Sequence, residues 1–315
     1  LSGKSHEHEH EHQHQHQHQH QHEHEHDRQG TRDMTGARIL VIDGNVAENR
    51  ARQIAALGYD SGTGYSRVLH RLDASLHIDI VTAADGTPLP PGVALESYDG
   101  VTMTGSALNI YNGGAPVTRQ IELAKAVFAA GVPFFGSCWG LQVAVTAAGG
   151  EVRANPRGRE FGFGRRILLS EAGREHPLFA GKPSTFEAPT IHRDEIASLP
   201  AGAATLATND YGLQAASFTH GRGTFWGVQY HPEYDFIDIA AVAERYGQIL
   251  VTEGMFHDTA ELTAFAADLR ALQSNPTDTP LLWKYGLGTA MRTESLRLTE
   301  IRNWLQTQVH PHATA

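Results

Sequence analysis

The chain has 315 residues, 40% of them hydrophobic and 19% charged, enough apolar material for one large domain or two modest ones. Its formal net charge is −10, which argues against a nucleic-acid partner, because a phosphate-binding protein needs a basic face. A single cysteine rules out an intramolecular disulfide and fits a reducing cytoplasm, and the absence of a long apolar run or a signal-peptide pattern argues against a membrane role.

Residues 6–26 begin with His6, close with His26 and alternate His with Glu or Gln, holding eleven of the 20 histidines. Such a stretch cannot bury a core, so residues 1–33 are expected to be a disordered tail. It reads either as a tag or translated repeat ahead of Met34, or as an arm that binds metal nonspecifically through dense imidazoles; no metal site is expected in the core. Residues 38–43 (RILVID) are an unbroken apolar run, as a strand buried on both faces requires. Helices are expected at 47–57, closed by Gly58, and at 66–76, then a strand at 78–82 and a Pro/Gly-rich loop at 84–98. A strand at 100–104 runs into a polar loop, TGSALNIYNGG, followed by a helix at 117–130 and a strand at 132–135. Strands alternating with helices at this spacing predict a doubly wound, mostly parallel sheet with helices on both faces and a flavodoxin-like core. Short strands follow at 151–153, 162–169, 184–187, 204–207, 213–219 and 224–230, some expected as antiparallel hairpins beside the parallel sheet. Helices at 238–252, 259–273 and 293–309 complete the chain.

The stretch around which the rest is organised is 132–148, VPFFGSCWGLQVAVTAA. A strand enters a helix through Gly136, Ser137, Cys138, Trp139 and Gly140, the form of a nucleophile elbow with Cys in the place of Ser. The two glycines let backbone pass close to a sharply turned residue, and the first turn of a helix favours a thiolate. A nucleophilic Cys needs a base, and the base an orienting group. Residues 227–233 (GVQYHPE) supply both at the end of another strand: His231 and Glu233 are two apart, so their side chains leave extended chain on one side, and Pro232 stiffens the step between them.

The pair GSCWGLQ and VQYHPE resembles the two signatures of the triad-type class I glutamine amidotransferases, over residues 38–251. The resemblance implies Cys138 as nucleophile, His231 as general acid and base, and Glu233 as its orienter, releasing glutamate and ammonia from glutamine through a thioester. It implies an oxyanion hole from the backbone of Trp139 and of the Gly105–Ser106 loop, substrate contact by Gln142 and Ser106, and no cofactor. A further segment, Ile191, His192, Arg193 and Asp194 with Leu199 and Pro200 after it, looks most like the glutamine pocket of the GMP synthase amidotransferase domain, where Ser and Gly stand in place of Ile191 and Arg193. Arg193 is bulkier than Gly, so a reshaped pocket is expected around Arg193 and His192. The chain carries neither an SGGxDS loop nor a P-loop for activating an acceptor. Three alternatives stand: a glutaminase supplying ammonia to a separate synthetase subunit, a stand-alone hydrolase of another γ-glutamyl amide, or a non-catalytic regulatory module on the same fold. Residues 253–315 are expected as a helical extension, packed on the core so that Leu281, Leu282 and Trp283 are covered.

Overall fold

A computed structural model describes residues 36–314. The His-rich arm and its boundary at residue 33 lie outside the described residues. The chain runs β1 (Arg38–Ile42), α1 (Ala47–Leu57), α2 (Ser61–Leu72), β2 (His77–Val81), β3 (Gly100–Met103), α3 (Ala115–Ala130), β4 (Phe134–Ser137) and α4 (Trp139–Ala147). The second half adds β5 (Glu151–Ala154), β6 (Glu160–Leu169), α5 (Glu171–Glu175), β7 (Thr185–His192), β8 (Asp194–Ser198), β9 (Ala204–Asn209), β10 (Gly212–His220) and β11 (Gly223–Val228). Helices α6 (Phe236–Thr252), α7 (Thr259–Ser274), α8 (Thr279–Lys284), α9 (Thr289–Arg292), α10 (Glu294–Arg297), α11 (Thr299–Trp304) and α12 (His310–Ala313) follow, with a π-helical turn, Leu305–Val309, before the last.

The main sheet has the order β2-β1-β3-β4-β11-β10-β9-β6-β7, and β5 pairs with β8 alone. The first five strands are mutually parallel, in the flavodoxin-like order with β11 in fifth place. The other four form an antiparallel wing. Strand alternation sorts the core into two faces. Ile39 and Val41 point to one face with Tyr65, Leu69 and Phe135, and Leu40 and Ile42 to the other with Val101, Phe128 and Leu141. The four aliphatic side chains of β1, Ile39 to Ile42, are fully buried, worth about 1.5–3 kcal/mol each.

The C-terminal segment covers the first of these faces. Trp304, Leu305 and Val309 are buried there, with the Trp304 ring 5.8 Å from that of Phe135. Gly100 makes room for them: a Cβ at that position would stand 2.7 Å from Val309 Cγ2 and 2.9 Å from Trp304 Cη2. A doubly wound sheet needs both faces covered, and this segment supplies part of one. Leu282 is buried and Leu281 partly so, but Trp283 is 81% exposed, contrary to the expectation that all three are covered.

Other differences have local causes. Helix α2 starts at Ser61 rather than 66, because the Asp60 carboxylate accepts the Thr63 N–H at 2.8 Å as an N-cap. Gly62 and Gly64, which masked this start in the sequence, serve packing: a Cβ on Gly62 would meet Ile80 Cγ2 at 2.7 Å. Strand β4 extends through Ser137, two residues past the apolar run. Strand β8 was not expected and follows the 191–194 segment directly. The expected helix at 293–309 is a series of short pieces, and α6 is broken at Gly247, with φ 27° and ψ −104°. Among the described residues, no helix is long and apolar enough to cross a membrane.

Candidate active site

The carboxyl ends of β3, β4 and β11 meet at one rim of the sheet. At the end of β4, Cys138 adopts φ 52° and ψ −101°, a conformation that costs of the order of 1–3 kcal/mol for a residue with a Cβ. Its N–H is held by Val228 O at 2.8 Å, and its carbonyl accepts the Gln142 N–H at 3.1 Å as α4 begins. The flanking glycines are steric requirements. A Cβ on Gly136 would lie 2.5 Å from the Gly140 carbonyl carbon, and one on Gly140 would lie 2.4 Å from Met103 O. The elbow is therefore pressed between its own helix and β3.

His231 follows β11 by three residues and is fixed by its N–H to Pro189 O at 2.8 Å. Its Nδ1 lies 2.8 Å from Glu233 Oε1, so Nδ1 donates to the carboxylate and Nε2 is the nitrogen left for proton exchange. The ring stacks on Tyr234 at 4.1 Å, nearly parallel, and abuts Gly105, where a Cβ would come within 2.5 Å of Cε1. Both His231 and Glu233 are buried. Among the described residues, His231 Nε2 and Glu233 Oε2 have no hydrogen-bond partner, and the Cys138 thiol, in this resting geometry, donates to Ile191 O at 3.6 Å. Burial alone opposes a charge on the imidazole. The Glu233 carboxylate and the adjacent Cys138 sulfur outweigh it and push the ring up to about 10. The three side chains thus converge with the ring favouring its protonated form.

The loop after β3 is braced for backbone donation. Asn45 Nδ2 and Thr104 Oγ1 both donate to Gly105 O, at 3.3 and 3.0 Å. This fixes the Gly105–Ser106 peptide, and across a trans peptide its N–H points the other way. Asn45 Oδ1 accepts the Ala107 N–H and Ser106 Oγ the Leu108 N–H, which pin the next turn. Trp139 opens α4, so its N–H has no acceptor one turn earlier in that helix, and its indole is tied to Gln120 Oε1 at 2.8 Å.

A cleft of about 300 Å³ opens onto Cys138 and His231 and is lined by Gly105, Ser106, Gln142, His192 and Arg193 among others. Within it the sequence-named residues differ in freedom. Gln142 is buried, its amide 3.4 Å from Gln229 Oε1. His192 has both ring nitrogens committed, to Asp194 O at 2.9 Å and to Glu160 Oε2 at 2.8 Å, so it has no nitrogen left for proton transfer. Arg193 is half exposed and reaches Glu253 Oε1 at 3.1 Å. That carboxylate also takes a two-pronged pair from Arg159, whose hydrogen bonds hold it below the usual carboxylate range. Asp194 receives Asn109 Nδ2 at 2.8 Å and the Tyr111 hydroxyl at 2.9 Å, which clamps the loop after β3 to the start of β8. Sequence reasoning missed Asn45, Tyr234 and the outer wall of Tyr246 and Ile249 from α6. Of these only Tyr234, next to the His-Pro-Glu run, stood in a segment already singled out. Among the described residues, no cluster of three or more His, Cys, Asp or Glu could hold a metal ion.

A family model described as glutamine amidotransferase class-I matches residues 57–236. The chain is 35% identical over 290 residues to a Pseudomonas gamma-glutamyl-L-1-hydroxyisopropylamide hydrolase, covering 89% of this chain and 96% of that one. It is also 35% identical over 185 residues to the glutamine-hydrolyzing GMP synthase of Leifsonia xyli, covering 58% of this chain but only 32% of the synthase. A solved glutamine amidotransferase from Thermotoga maritima shares the fold, with TM-score 0.58 and 21% identity, over 87% of this chain and 98% of that one.

Proposed function

The chain belongs to the glutamine amidotransferase class I family, and on that premise we propose that it hydrolyses a γ-glutamyl amide to glutamate and a free amine. The observation that carries the proposal is the convergence of the Cys138 sulfur, the His231 ring and the Glu233 carboxylate at one sheet rim, with His231 Nδ1 held at 2.8 Å by Glu233. In this reading the Cys138 thiolate attacks the amide carbonyl carbon. The oxyanion that forms is met by the backbone N–H groups of Trp139 and the Gly105–Ser106 loop. His231 gives its proton to the leaving nitrogen, the C–N bond breaks and a thioester remains. Water then attacks the thioester, with His231 Nε2 taking its proton, and glutamate leaves with the thiolate restored.

The amine is the open half of the reading, and we assign it a small alkyl or hydroxyalkyl substituent rather than hydrogen. Two observations support this. The Pseudomonas hydrolase aligns with 89% of this chain and 96% of its own length, whereas the GMP synthase match covers 58% of this chain and 32% of the synthase. The cleft also has an outer wall of Leu108, Tyr246 and Ile249, apolar surface that glutamine's bare amide would not use. This reading needs no synthetase subunit to consume ammonia, and it sets the enzyme in the cytoplasm, where the single thiol stays reduced. Glutamine hydrolysis coupled to a separate synthetase is the second reading, supported by the match to GMP synthase.

The test compares kcat/KM for glutamate release from L-glutamine, γ-glutamyl-isopropylamide and γ-glutamyl-L-1-hydroxyisopropylamide. An apolar group of this size is worth about 10–200-fold in a fitted pocket. A preference of that order for the substituted amides is expected; a preference for glutamine would favour the second reading, and no turnover of any would leave the regulatory-module alternative.

A further inference from the structure

The chain that carries the base and its orienter is gripped from both sides by the C-terminal segment, beyond the part matched by the family model. Arg297, buried at the end of α10, donates from Nη1 to Pro232 O at 3.1 Å and to Tyr234 O at 2.9 Å. Those two carbonyls bracket Glu233. On the other side of His231, the Tyr230 hydroxyl donates to Glu300, three residues after Arg297. Glu300 is in turn fully buried and paired with Lys182 at 2.9 Å, and the same Lys182 Nζ donates to Leu296 O at 2.8 Å. The turn itself closes through Tyr234 N–H to His231 O at 3.1 Å, which brings the stacked Tyr234 ring onto the imidazole.

We infer that Arg297 is a positioning residue for the triad, fixing the backbone on either side of Glu233 so that its carboxylate stays seated on the His231 ring. The chemistry supports a specific arrangement rather than general docking. Proline offers no N–H at the residue before Glu233, so the Arg297 bonds to the Pro232 and Tyr234 carbonyls add to the His231 and Tyr234 N–H bonds that hold the turn. A guanidinium can satisfy two carbonyls at a fixed angle, which a lysine ammonium on a flexible stem does less well. With the brace gone, the Glu233 side chain keeps its bond to His231 Nδ1, and its second oxygen has no partner among the described residues to hold it in place. The C-terminal segment then does two things: it covers one sheet face, and it completes the site. This inference rests on the triad reading given above.

The experiment uses the full chain and three variants: Arg297→Gln, Arg297→Lys and Asn303→Ala. Asn303 anchors the same segment to Leu178 O and Ala180 O, both at 3.0 Å, and does not touch the turn, so it controls for loosened docking. The readouts are kcat and KM with γ-glutamyl-isopropylamide and with glutamine, the pH profile of Cys138 alkylation by iodoacetamide, and Tm. For Arg297→Gln we expect kcat to fall on the order of 10–100-fold with KM changed by less than about threefold, as for a small misplacement of a reacting group. The alkaline limb of the alkylation profile, which reports proton loss from His231, moves to lower pH. Arg297→Lys falls between wild type and Arg297→Gln, and serves alone if the glutamine variant does not fold. Asn303→Ala loses Tm but keeps the profile. A wild-type profile and kcat in the Arg297 variants, or an equal kcat loss in Asn303→Ala at matched Tm, overturns the inference. Retained turnover in Cys138→Ala would instead overturn the triad reading, so the two failures are separable.

Discussion

Replacing Glu233 by Gln keeps the shape of the His231–Glu233 contact and removes its charge. The amide oxygen can still accept the Nδ1 proton, so the tautomer survives while the electrostatic support is lost. His231 stands at about 10 against an ordinary 6.5, a difference of about 3.5 units or about 5 kcal/mol between its two protonation states. Burial works against the charged ring; the Glu233 carboxylate is the largest influence working for it, and loss of one such opposite charge is worth about 1–3 units. A ring raised this far favours its imidazolium form at pH 7.5, the form the proposed hydrolysis needs to protonate a leaving amine. In Glu233→Gln a loss of that size lowers the charged fraction at pH 7.5 by at most about fourfold, and the larger cost is the missing support for the imidazolium as it gives and takes protons during turnover. The expected result is a kcat/KM at pH 7.5 lower by the order of 100-fold or more, with the alkaline limb of the pH–rate profile moved down from near pH 10. Alkylation of Cys138 by iodoacetamide should slow near neutrality yet remain possible at high pH, where a thiol ionises unaided. The assay is initial-rate glutamate release alongside the alkylation rate from pH 6 to 10.5. Profiles that superimpose on wild type in both measurements would refute the account of Glu233.

Other perturbations test separate parts of the structure. Gly105→Ala forces a Cβ to within 2.5 Å of His231 Cε1, so the ring or the loop must move; kcat should fall by about 100-fold with a nearly unchanged Tm, read by steady-state kinetics and calorimetry. Trp304→Ala empties a fully buried site against Phe135 and should cost about 3–5 kcal/mol in denaturant unfolding. Asp238 is buried beside Asp235 and raised from 3.8 to about 7, so its native state holds a proton that the unfolded chain has released. That contribution is full below about pH 4 and is lost as pH rises through about 7, at up to about 1.4 kcal/mol per unit. Asp238→Asn should therefore flatten the fall in stability between about pH 4 and 7, measured by urea melts at each pH.

The legible parts of this molecule were those whose cause is local. The unbroken apolar run at 38–43 announced a strand buried on both faces, and all four aliphatics of β1 are fully buried. The spacing of Gly136, Cys138 and Gly140 announced the elbow because each glycine answers a clash within a few residues or with the next strand. His231 and Glu233 were legible because they stand two apart in one short run, although a turn closed by Tyr234 N–H to His231 O, not extended chain, sets them facing. What escaped depends on partners far along the chain. Gly62 and Gly64 looked like breakers of α2, and only Ile80 across the sheet and the Asp60 cap explain why a helix starts ahead of them. Arg297 sits in a segment whose sequence suggested one plain helix; its acceptors lie more than sixty residues earlier. His192 was expected in the substrate pocket, and nothing near it in the sequence revealed that Glu160 would occupy its second nitrogen. Trp283 looked like core by its neighbours, but the short α8 turns Leu282 inward and leaves the indole outside.

The central claim is that a γ-glutamyl group passes through a covalent thioester on the one cysteine of the chain. Rapid-quench mass spectrometry of the full protein mixed with γ-glutamyl-isopropylamide, with peptide mapping, tests it most directly. The account predicts one glutamyl adduct, located on Cys138, that forms and decays at the rate of turnover and is absent in Cys138→Ala. Steady turnover with no adduct at any time, or an adduct on another residue, would contradict it.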